Sequence, residues 1–248
     1  MSVPLVLVTP RDADEVRLWR TTLELAKALP QRGWTLIGAQ MVILHAAAAG
    51  RELGRSSGDL DLLADVRLLS DATRTLAASL IALGFSPEIT IDGRAHRFRR
   101  GDDLVDLLAP DGLGARASLE TVPGGETVPG GRTIVVPGGS QALRRTEHGP
   151  VAVADLGTSE LPRPDLLGAI LLKAHAVDVA DNPAKHRRDL AFLLSLVGDP
   201  SALRAELSSA ERGKLQALAE LLDPDHPAYQ GIDQRENAAS ALQLLLQA

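Results

Sequence analysis

The amino-acid sequence predicts an α+β protein in which a mixed sheet with flanking helices is followed by a C-terminal helical bundle. In the first half, short apolar runs with the two-residue period of strands alternate with segments whose apolar residues recur every three or four positions. From Pro164 onward, leucine and alanine recur at helical spacing. We therefore expect an α/β domain at 1–160 and a helical domain at 161–248. The helices of the second half are predicted near 165–180, 186–198, 201–222 and 234–247.

The N-terminal elements are predicted from capping residues and from glycine. After a short extended piece, Asp12 or Asp14 can cap an amphipathic helix that ends before Pro30. A short apolar strand is expected at 34–37, and a glycine then leads into an alanine-rich helix at 39–49. The first unit of the sheet is therefore a strand, a glycine and a helix.

An acidic strand follows this first unit. In Asp59-Leu60-Asp61-Leu62 acid and leucine alternate with the period of a strand, so Asp59 and Asp61 are expected on one face of the sheet. A helix is predicted next, at 71–83. Three further strands are predicted at 88–91, 95–99 and 104–108, with a hairpin turn at Asp92-Gly93.

A segment at the edge of the first predicted domain, residues 121–140, is rich in glycine. The tetrad Val-Pro-Gly-Gly begins at Val122, Val128 and Val136, and glycine at this density weighs against a helix or a strand interior. We interpret the tetrads as loops or hairpin tips. They lack the lysine and the hydroxyl residue that a P-loop needs, so their predicted role is structural.

Three carboxylates are the candidate metal ligands. Asp59 and Asp61, two residues apart on a strand, place like charges side by side, and a cation between them relieves the repulsion. Asp106 stands in a stretch that otherwise predicts a buried strand, where a carboxylate needs a partner. Mg²⁺ or Mn²⁺ held by such acids would suit a nucleotide site, and the third acid could also accept a proton. Taken alone, an Asp-x-Asp pair also fits two solvent-exposed acids.

The composition limits the partners. The chain has no cysteine, so thiolate zinc sites are excluded, and its net charge of −6 means that a nucleic-acid partner would need a local basic patch. Aromatic residues make up only 2%, which disfavours recognition by base stacking. No apolar run is long enough for a membrane span, and no signal peptide is predicted, so a cytoplasmic location with no membrane contact is expected.

The order of these features resembles the nucleotidyltransferase superfamily, in particular its AbiEii-like abortive-infection and toxin-type members. The resemblance covers roughly residues 30 to 200. The matching segments are Leu36-Ile37-Gly38-Ala39-Gln40, Arg55-Ser56-Ser57-Gly58, Asp59-Leu60-Asp61-Leu62-Leu63, His96-Arg97-Phe98-Arg99, Val105-Asp106-Leu107-Leu108, Leu166-Leu167-Gly168-Ala169-Ile170-Leu171-Leu172-Lys173-Ala174 and Lys185-His186-Arg187-Arg188-Asp189-Leu190.

The resemblance implies a fold, a reaction and a set of site residues. It implies transfer of a nucleotidyl group from a nucleoside triphosphate, with a divalent metal held by the acids and the triphosphate contacted by the glycine turn. The residues that it places at the nucleotide are Gly38, Ala39, Arg55, Ser57 and Lys173, with Asp189 as a positioning acid. The superfamily usually has Gly-Gly or Gly-Ser at the turn. Here Gly38 is followed by Ala39, which is tolerated only where positive φ is not needed.

Lys173 is the candidate phosphate ligand of the helical half. Its sequence neighbours are almost all apolar, so burying its ammonium without a partner would be costly. Two other interpretations stay open: a lysine that extends to solvent, or an ordinary pair with a nearby acid. Lys185 and Asp189, four residues apart, also fit a surface helix pair.

The other basic candidates are arginines and histidines. A run of four arginines could contact an acceptor or a triphosphate, although exposed arginines on an edge strand also serve only solvation. His45 and His175 are expected to be packed or capping residues, because no second histidine stands at a metal-binding spacing. The four arginines are Arg94, Arg97, Arg99 and Arg100.

Three functional hypotheses follow. The first is an enzyme that moves a nucleotidyl group to a hydroxyl, for which the resemblance suggests the end of a transfer RNA or another RNA, with an antitoxin-like protein partner if the protein is a toxin. The second is a binding protein that keeps the fold without turnover, for which Ala39 is the best support. The third is transfer to a small cationic acceptor such as an aminoglycoside, which the negative net charge would attract.

Overall fold

The computed structural model describes residues 3–55, 57–112, 126–179 and 181–247. Two short 3₁₀ turns, Ala219–Leu222 and Pro227–Tyr229, precede the last helix. In chain order the other elements are β1 (Val6–Val8), α1 (Ala13–Ala28), β2 (Trp34–Ile37), α2 (Gly38–Ala48), β3 (Leu60–Ala64), α3 (Ala72–Ala82), β4 (Ser86–Glu88), β5 (Arg97–Arg100), β6 (Asp103–Pro110), β7 (Glu126–Val128), β8 (Gly131–Arg132), β9 (Val135–Val136), α4 (Gly139–Arg144), β10 (Thr146–Val153), β11 (Gly157–Pro164), α5 (Leu166–Val179), α6 (Pro183–Leu194), α7 (Pro200–Glu206), α8 (Ser209–Gln216) and α9 (Arg235–Leu246).

The central sheet is mixed, as the sequence predicts. Its strand order is β2-β3-β6-β5-β4, and β9 pairs in parallel with the end of β6. Strands β3 and β6 are parallel to each other and occupy the middle, while β2, β5 and β4 pair antiparallel with their neighbours. The two strands that carry the candidate acids are therefore adjacent.

The two faces of this sheet pack against different helices. Leu60, Leu62 and Val105 belong to an apolar cluster with residues of α1 and α3. The alternate residues, among them Leu63 and Leu108, belong to a second cluster that includes α2, α5, α6 and α9. Because successive strand residues point to opposite faces, Asp61 and Asp106 lie on the face toward α5.

Several helices confirm the sequence prediction. Helix α1 begins after Asp12, whose side chain accepts a hydrogen bond from the backbone N–H of Glu15 at 2.8 Å. Helices α2 and α3 lie within a residue or two of their predicted bounds. The single helix predicted at 201–222 is wrong: Ser208 and Glu211 form a capping box that starts α8 anew after α7 has ended.

The Val-Pro-Gly-Gly tetrads have different local structures. The tetrad that starts at Val122 lies outside the described residues. The one at Val128 forms the tip of the β7–β8 hairpin, as predicted. The one at Val136 differs, because Gly138, with φ +78°, precedes helix α4. Asp111 accepts hydrogen bonds from the backbone N–H groups of Gly138 and Ser140, so it holds this helix start.

A second sheet, which the sequence analysis did not predict, consists of β1, β10 and β11. Strand β1 is parallel to β10, and β10 is antiparallel to β11. Strands β10 and β11 could not be predicted from the sequence because they contain proline and glycine, which are depleted in strands. These residues are Gly149, Pro150, Pro162 and Pro164.

No helix among the described residues is long and apolar enough to cross a membrane. The division of the chain into domains at 1–160 and 161–248 stays a prediction.

Candidate metal and nucleotide site

The three predicted acids come together at the middle of the sheet. Asp61 in β3 is the direct partner of Asp106 in the parallel strand β6, so both side chains project from one face. Asp59 precedes β3 and is fixed by Ser57, whose hydroxyl donates to Asp59 Oδ1 at 2.9 Å. One carboxylate oxygen from each of the three acids lies within 4.8 Å of the others. This spacing could hold a divalent metal ion.

Burial and mutual repulsion change the protonation of Asp61. Burial raises its pKa from 3.8 to about 7, and the carboxylates of Asp59 and Asp106 add to the rise, while Lys173 opposes it. The cluster therefore carries more negative charge at neutral pH than its surroundings favour, which a cation would relieve.

Gly38 brings the β2–α2 turn against Asp61. Its φ of +69° is a conformation that side-chain-bearing residues rarely adopt. A Cβ atom at this position would lie 1.8 Å from Asp61 Oδ2, so only glycine fits. Ala39 is already inside α2, without positive φ, and its side chain is buried. The turn thus requires positive φ at its glycine alone, and the alanine is compatible with it.

We expect Gly38→Ala to destabilise the protein by roughly 3 kcal/mol or more, because the strain of positive φ adds to the collision with Asp61. Gly50→Ala is the matched control: its φ is +65°, and its Cβ would meet nothing within 4 Å. The control should lose only about 1 kcal/mol. Thermal unfolding of both variants measures the difference, and equal losses would show that the contact with Asp61 is unimportant.

Asp106 is held by an arginine. Arg97, its direct partner in the antiparallel strand β5, donates from Nε to Oδ1 and from Nη2 to Oδ2, both at 2.8 Å. This hydrogen bond is the main cause that raises the pKa of Arg97 above its ordinary value. The carboxylate of Asp106 is thereby fixed in orientation.

Lys173 is buried beside the site and does not extend to solvent. Its residue is 3% exposed, and Nζ lies 2.8 Å from Asp189 Oδ2. Burial lowers the pKa of Lys173, although Asp189 and, more weakly, Asp61 oppose the change. Arg55 also binds Asp189, with 3.0 Å from Nε to Oδ1. The surface pair of Lys185 with Asp189 is not among the ion pairs of the described residues.

Asp189 therefore joins two cations that are far apart in sequence. Burial would raise its pKa, but Lys173 and Arg55 outweigh this effect and hold the pKa below its ordinary value. Through Arg55, Asp189 in α6 fixes the loop that leads to Ser57 and Asp59.

A pocket of about 480 Å³ opens next to these residues. Gly38, Asp61 and Lys173 line it, and most of the other lining residues are aliphatic, several of them from β9 and α5. His186 also lines the pocket, and its buried Nδ1 has no hydrogen-bond partner among the described residues. Burial, with Lys173 as the next cause, lowers its pKa to about 4, so its ring is neutral at pH 7. His186 lies in the segment Lys185-His186-Arg187-Arg188-Asp189-Leu190, but no local signal in the sequence distinguishes it as a site residue.

The four arginines of the basic run pair with different acids. Arg94 lines the pocket and pairs with Asp92, whereas Arg97 pairs with Asp106. The other two pair elsewhere: Arg99 with Glu88, and Arg100 with Glu24 and Asp103.

The two histidines considered in the sequence analysis lie away from the acids. His45 is buried with Nε2 3.0 Å from the carbonyl oxygen of Pro164, and burial lowers its pKa to about 4. His175 packs against Gly138. Neither belongs to the carboxylate cluster found among the described residues.

Comparison with known proteins gives one structural similarity. No model of a protein family matches the chain, and no curated protein sequence does. The chain is similar to the crystal structure of an antigenic nucleotidyltransferase-like protein from Paracoccidioides brasiliensis, with a TM-score of 0.50 and 13% sequence identity, over 94% of this chain and 95% of that chain. At this identity the similarity shows the fold: the chain has an α+β, nucleotidyltransferase-like fold.

Proposed function

We propose that this protein is a metal-dependent nucleotidyltransferase that moves a nucleotidyl group from a nucleoside triphosphate to a hydroxyl acceptor. The observation that carries the proposal is the convergence of Asp59, Asp61 and Asp106 beside the glycine turn at Gly38. The fold supports the same class of reaction, and the resemblance noted in the sequence points to it independently.

The acids fit a hard divalent cation. All three offer carboxylate oxygens, the ligands that Mg²⁺ and Mn²⁺ prefer, and the site contains neither histidine nor cysteine ligands. The raised pKa of Asp61, caused by burial and then by the carboxylates of Asp59 and Asp106, supports this assignment. Asp59, Asp61 and Asp106 would hold the metal, which would neutralise phosphate charge and polarise the reacting phosphate.

The surrounding residues bind and orient the nucleotide in this proposal. The N-terminus of α2 offers backbone N–H groups and a partial positive charge next to Asp61, which suits a triphosphate. Lys173 has three N–H donors and one carboxylate partner among the described residues, so further donors can serve a phosphate. Contact of Arg55 and Ser57 with the triphosphate stays a prediction, since their side chains contact Asp189 and Asp59.

The aliphatic pocket suits the uncharged part of the nucleotide. A triphosphate bound at Gly38 and the acids would leave its nucleoside near the aliphatic wall of β9 and α5. His186 of α6 also lines this pocket, and its buried Nδ1 has no hydrogen-bond partner among the described residues. We propose that it contacts the sugar or the base.

The reaction can be tested by following the label. In nucleotidyl transfer the acceptor hydroxyl oxygen bonds to the α-phosphorus, its proton is lost, and pyrophosphate leaves. Each of the four nucleoside triphosphates, labelled at the α- or the γ-phosphate, should be incubated with Mg²⁺ or Mn²⁺, with total RNA or with an aminoglycoside. We expect α-label on an acceptor and γ-label in pyrophosphate. γ-Label on the acceptor would show phosphoryl transfer instead.

The acceptor and the biological partner are the finer parts of the proposal. Membership of the AbiEii-like, toxin-type group, a transfer-RNA acceptor, an antitoxin-like partner and a cytoplasmic location rest on the sequence alone. Label in RNA favours the toxin-type group, and label on the aminoglycoside favours the small-molecule hypothesis. Nucleotide binding without any transfer would favour the binding protein, for which the pairing of Lys173 and Arg55 with Asp189 is the structural support.

A further inference from the structure

Arg97 lies on the same face of the sheet as the candidate metal ligands, directly beside Asp106. It pairs with Asp106 across β5 and β6, and Asp106 pairs with Asp61 across β6 and β3. Directly paired residues on neighbouring strands project from the same face. The face therefore carries, in order, one guanidinium and two carboxylates, with Asp59 beside them.

The contact between Arg97 and Asp106 fixes the orientation of the carboxylate. Two parallel N–H···O bonds of 2.8 Å leave it no freedom to rotate without breaking one of them. The side chain of Asp106 is 11% exposed, so water cannot readily replace the lost bond. Each carboxylate oxygen still has a second lone pair, so Asp106 can bind a metal while it is held.

Without such a contact the three acids would move apart. Their oxygens lie within 4.8 Å of one another, and like charges at this spacing repel. Asp59 is fixed by Ser57, and Asp61 is confined by Gly38. Arg97 fixes the third acid, Asp106, in the same way.

We propose that Arg97 is a positioning residue that keeps the three carboxylates assembled before a divalent cation binds. The inference rests on the proposed function, because it concerns the same metal site. The positioning role predicts a direction of change in metal affinity that is opposite to the one expected from charge. By charge alone, removal of a cation beside the site would strengthen metal binding. If Arg97 positions Asp106, its removal weakens metal binding.

The structure offers a control pair outside the carboxylate cluster. Arg17 pairs with Asp103, another β6 aspartate with an 11% exposed side chain, at 2.7 Å. Its own side chain is 30% exposed, against 37% for Arg97. Asp103 pairs with Arg17 of α1 and does not belong to the carboxylate cluster. Thr21 and Arg100 also donate to Asp103, so this carboxylate keeps partners in Arg17→Gln. The variant therefore controls for the loss of an arginine–aspartate pair on β6 outside the carboxylate cluster.

The test is Mn²⁺ binding to the full-length chain, measured from free Mn²⁺ by electron paramagnetic resonance, together with thermal unfolding. We expect Arg97→Gln to weaken Mn²⁺ affinity by about tenfold or more, in the range seen when a residue that orients a metal ligand is removed. Arg97→Lys, which keeps the charge but not the two-pronged contact, should recover part of this loss and serves if the glutamine variant does not fold. Arg17→Gln should change the affinity by less than about twofold.

Unchanged or tighter Mn²⁺ binding by Arg97→Gln, with normal binding by the wild-type protein, would overturn the positioning role and leave the proposed function intact. Equal losses in Arg97→Gln and Arg17→Gln would overturn it as well, because they would indicate general destabilisation. If the wild-type protein binds no Mn²⁺, both the proposed function and this inference fail.

Discussion

Asp61→Asn is expected to abolish nucleotidyl transfer, with a loss of a thousandfold or more, while the metal-free protein becomes more stable. The loss follows because the substitution removes a proposed metal ligand at the centre of the three acids, and metal and phosphate stabilisation account for much of the catalysis of such reactions. The metal-free protein gains stability because Asp61 is buried near two other carboxylates, which raises its pKa to about 7.

The gain in stability should depend on pH. Because the folded pKa of Asp61 is above its unfolded value of 3.8, the folded protein keeps a proton that the unfolded chain releases. The wild-type protein therefore loses stability as the pH rises from about 4 to about 7. A pKa shift of this size limits the gain in the free energy of unfolding to roughly 4 kcal/mol. We expect Asp61→Asn to gain about half of this at pH 8, because burying the asparagine amide also costs free energy. Thermal unfolding without metal, at pH 5 and pH 8, measures this difference.

Asp103→Asn is expected to change stability in the opposite direction. Burial would raise the pKa of Asp103, but hydrogen bonds from Thr21, Arg17 and Arg100 outweigh it and lower the pKa. That contribution to stability is present above the unfolded pKa and is lost as the pH falls. The variant should lose stability at pH 8 and keep transfer. A large loss of stability in Asp61→Asn would instead identify Asp61 as a structural acid.

Lys173→Met is expected to lower both turnover and stability. Loss of a charge-assisted contact to phosphate typically costs on the order of a hundredfold in turnover. From sequence alone, methionine would keep the length and apolar stem, so packing would survive. The structure changes this expectation, because the ammonium pairs with Asp189, whose side chain is 1% exposed. Its removal leaves a buried carboxylate with Arg55 alone, at a cost of about 3 kcal/mol.

Two companion variants separate these effects. Lys214→Met breaks the pair with Asp178, whose side chain is 60% exposed, so stability should change by less than about 1 kcal/mol. Lys173→Met combined with Asp189→Leu removes both buried charges and should recover part of the stability without recovering turnover. Nucleotide titration and steady-state rates give the functional side. Wild-type affinity and turnover in Lys173→Met would reduce Lys173 to a structural role.

The sequence by itself determined much of the local structure. Helix α1 and strand β2 follow from signals within a few residues: the cap at Asp12 and the apolar run before Gly38. The common face of Asp59 and Asp61 follows from strand period alone. The approach of Asp106 to them could not be derived from spacing, because Asp61 and Asp106 are separated by several elements. The expectation rested instead on the buried-strand context of Asp106, where a carboxylate needs a partner, and the parallel pairing of β3 and β6 brings it beside Asp61.

Tertiary structure alone decided which charges meet. Arg55 and Asp189 are 134 residues apart, and nothing local distinguishes their pair from that of Lys185 with Asp189. The run of arginines resembles one basic patch in the sequence, yet its members pair with different acids. Successive residues of a strand point to opposite faces, so Arg97 and Arg100 meet different elements. Hydrophobic periodicity and helix caps depend on residues within one or two turns of the chain. The partner of a buried charge is instead whichever opposite charge the fold brings within reach. The sequence therefore supplied the charged groups, and the topology of the sheet and helices selected their pairs.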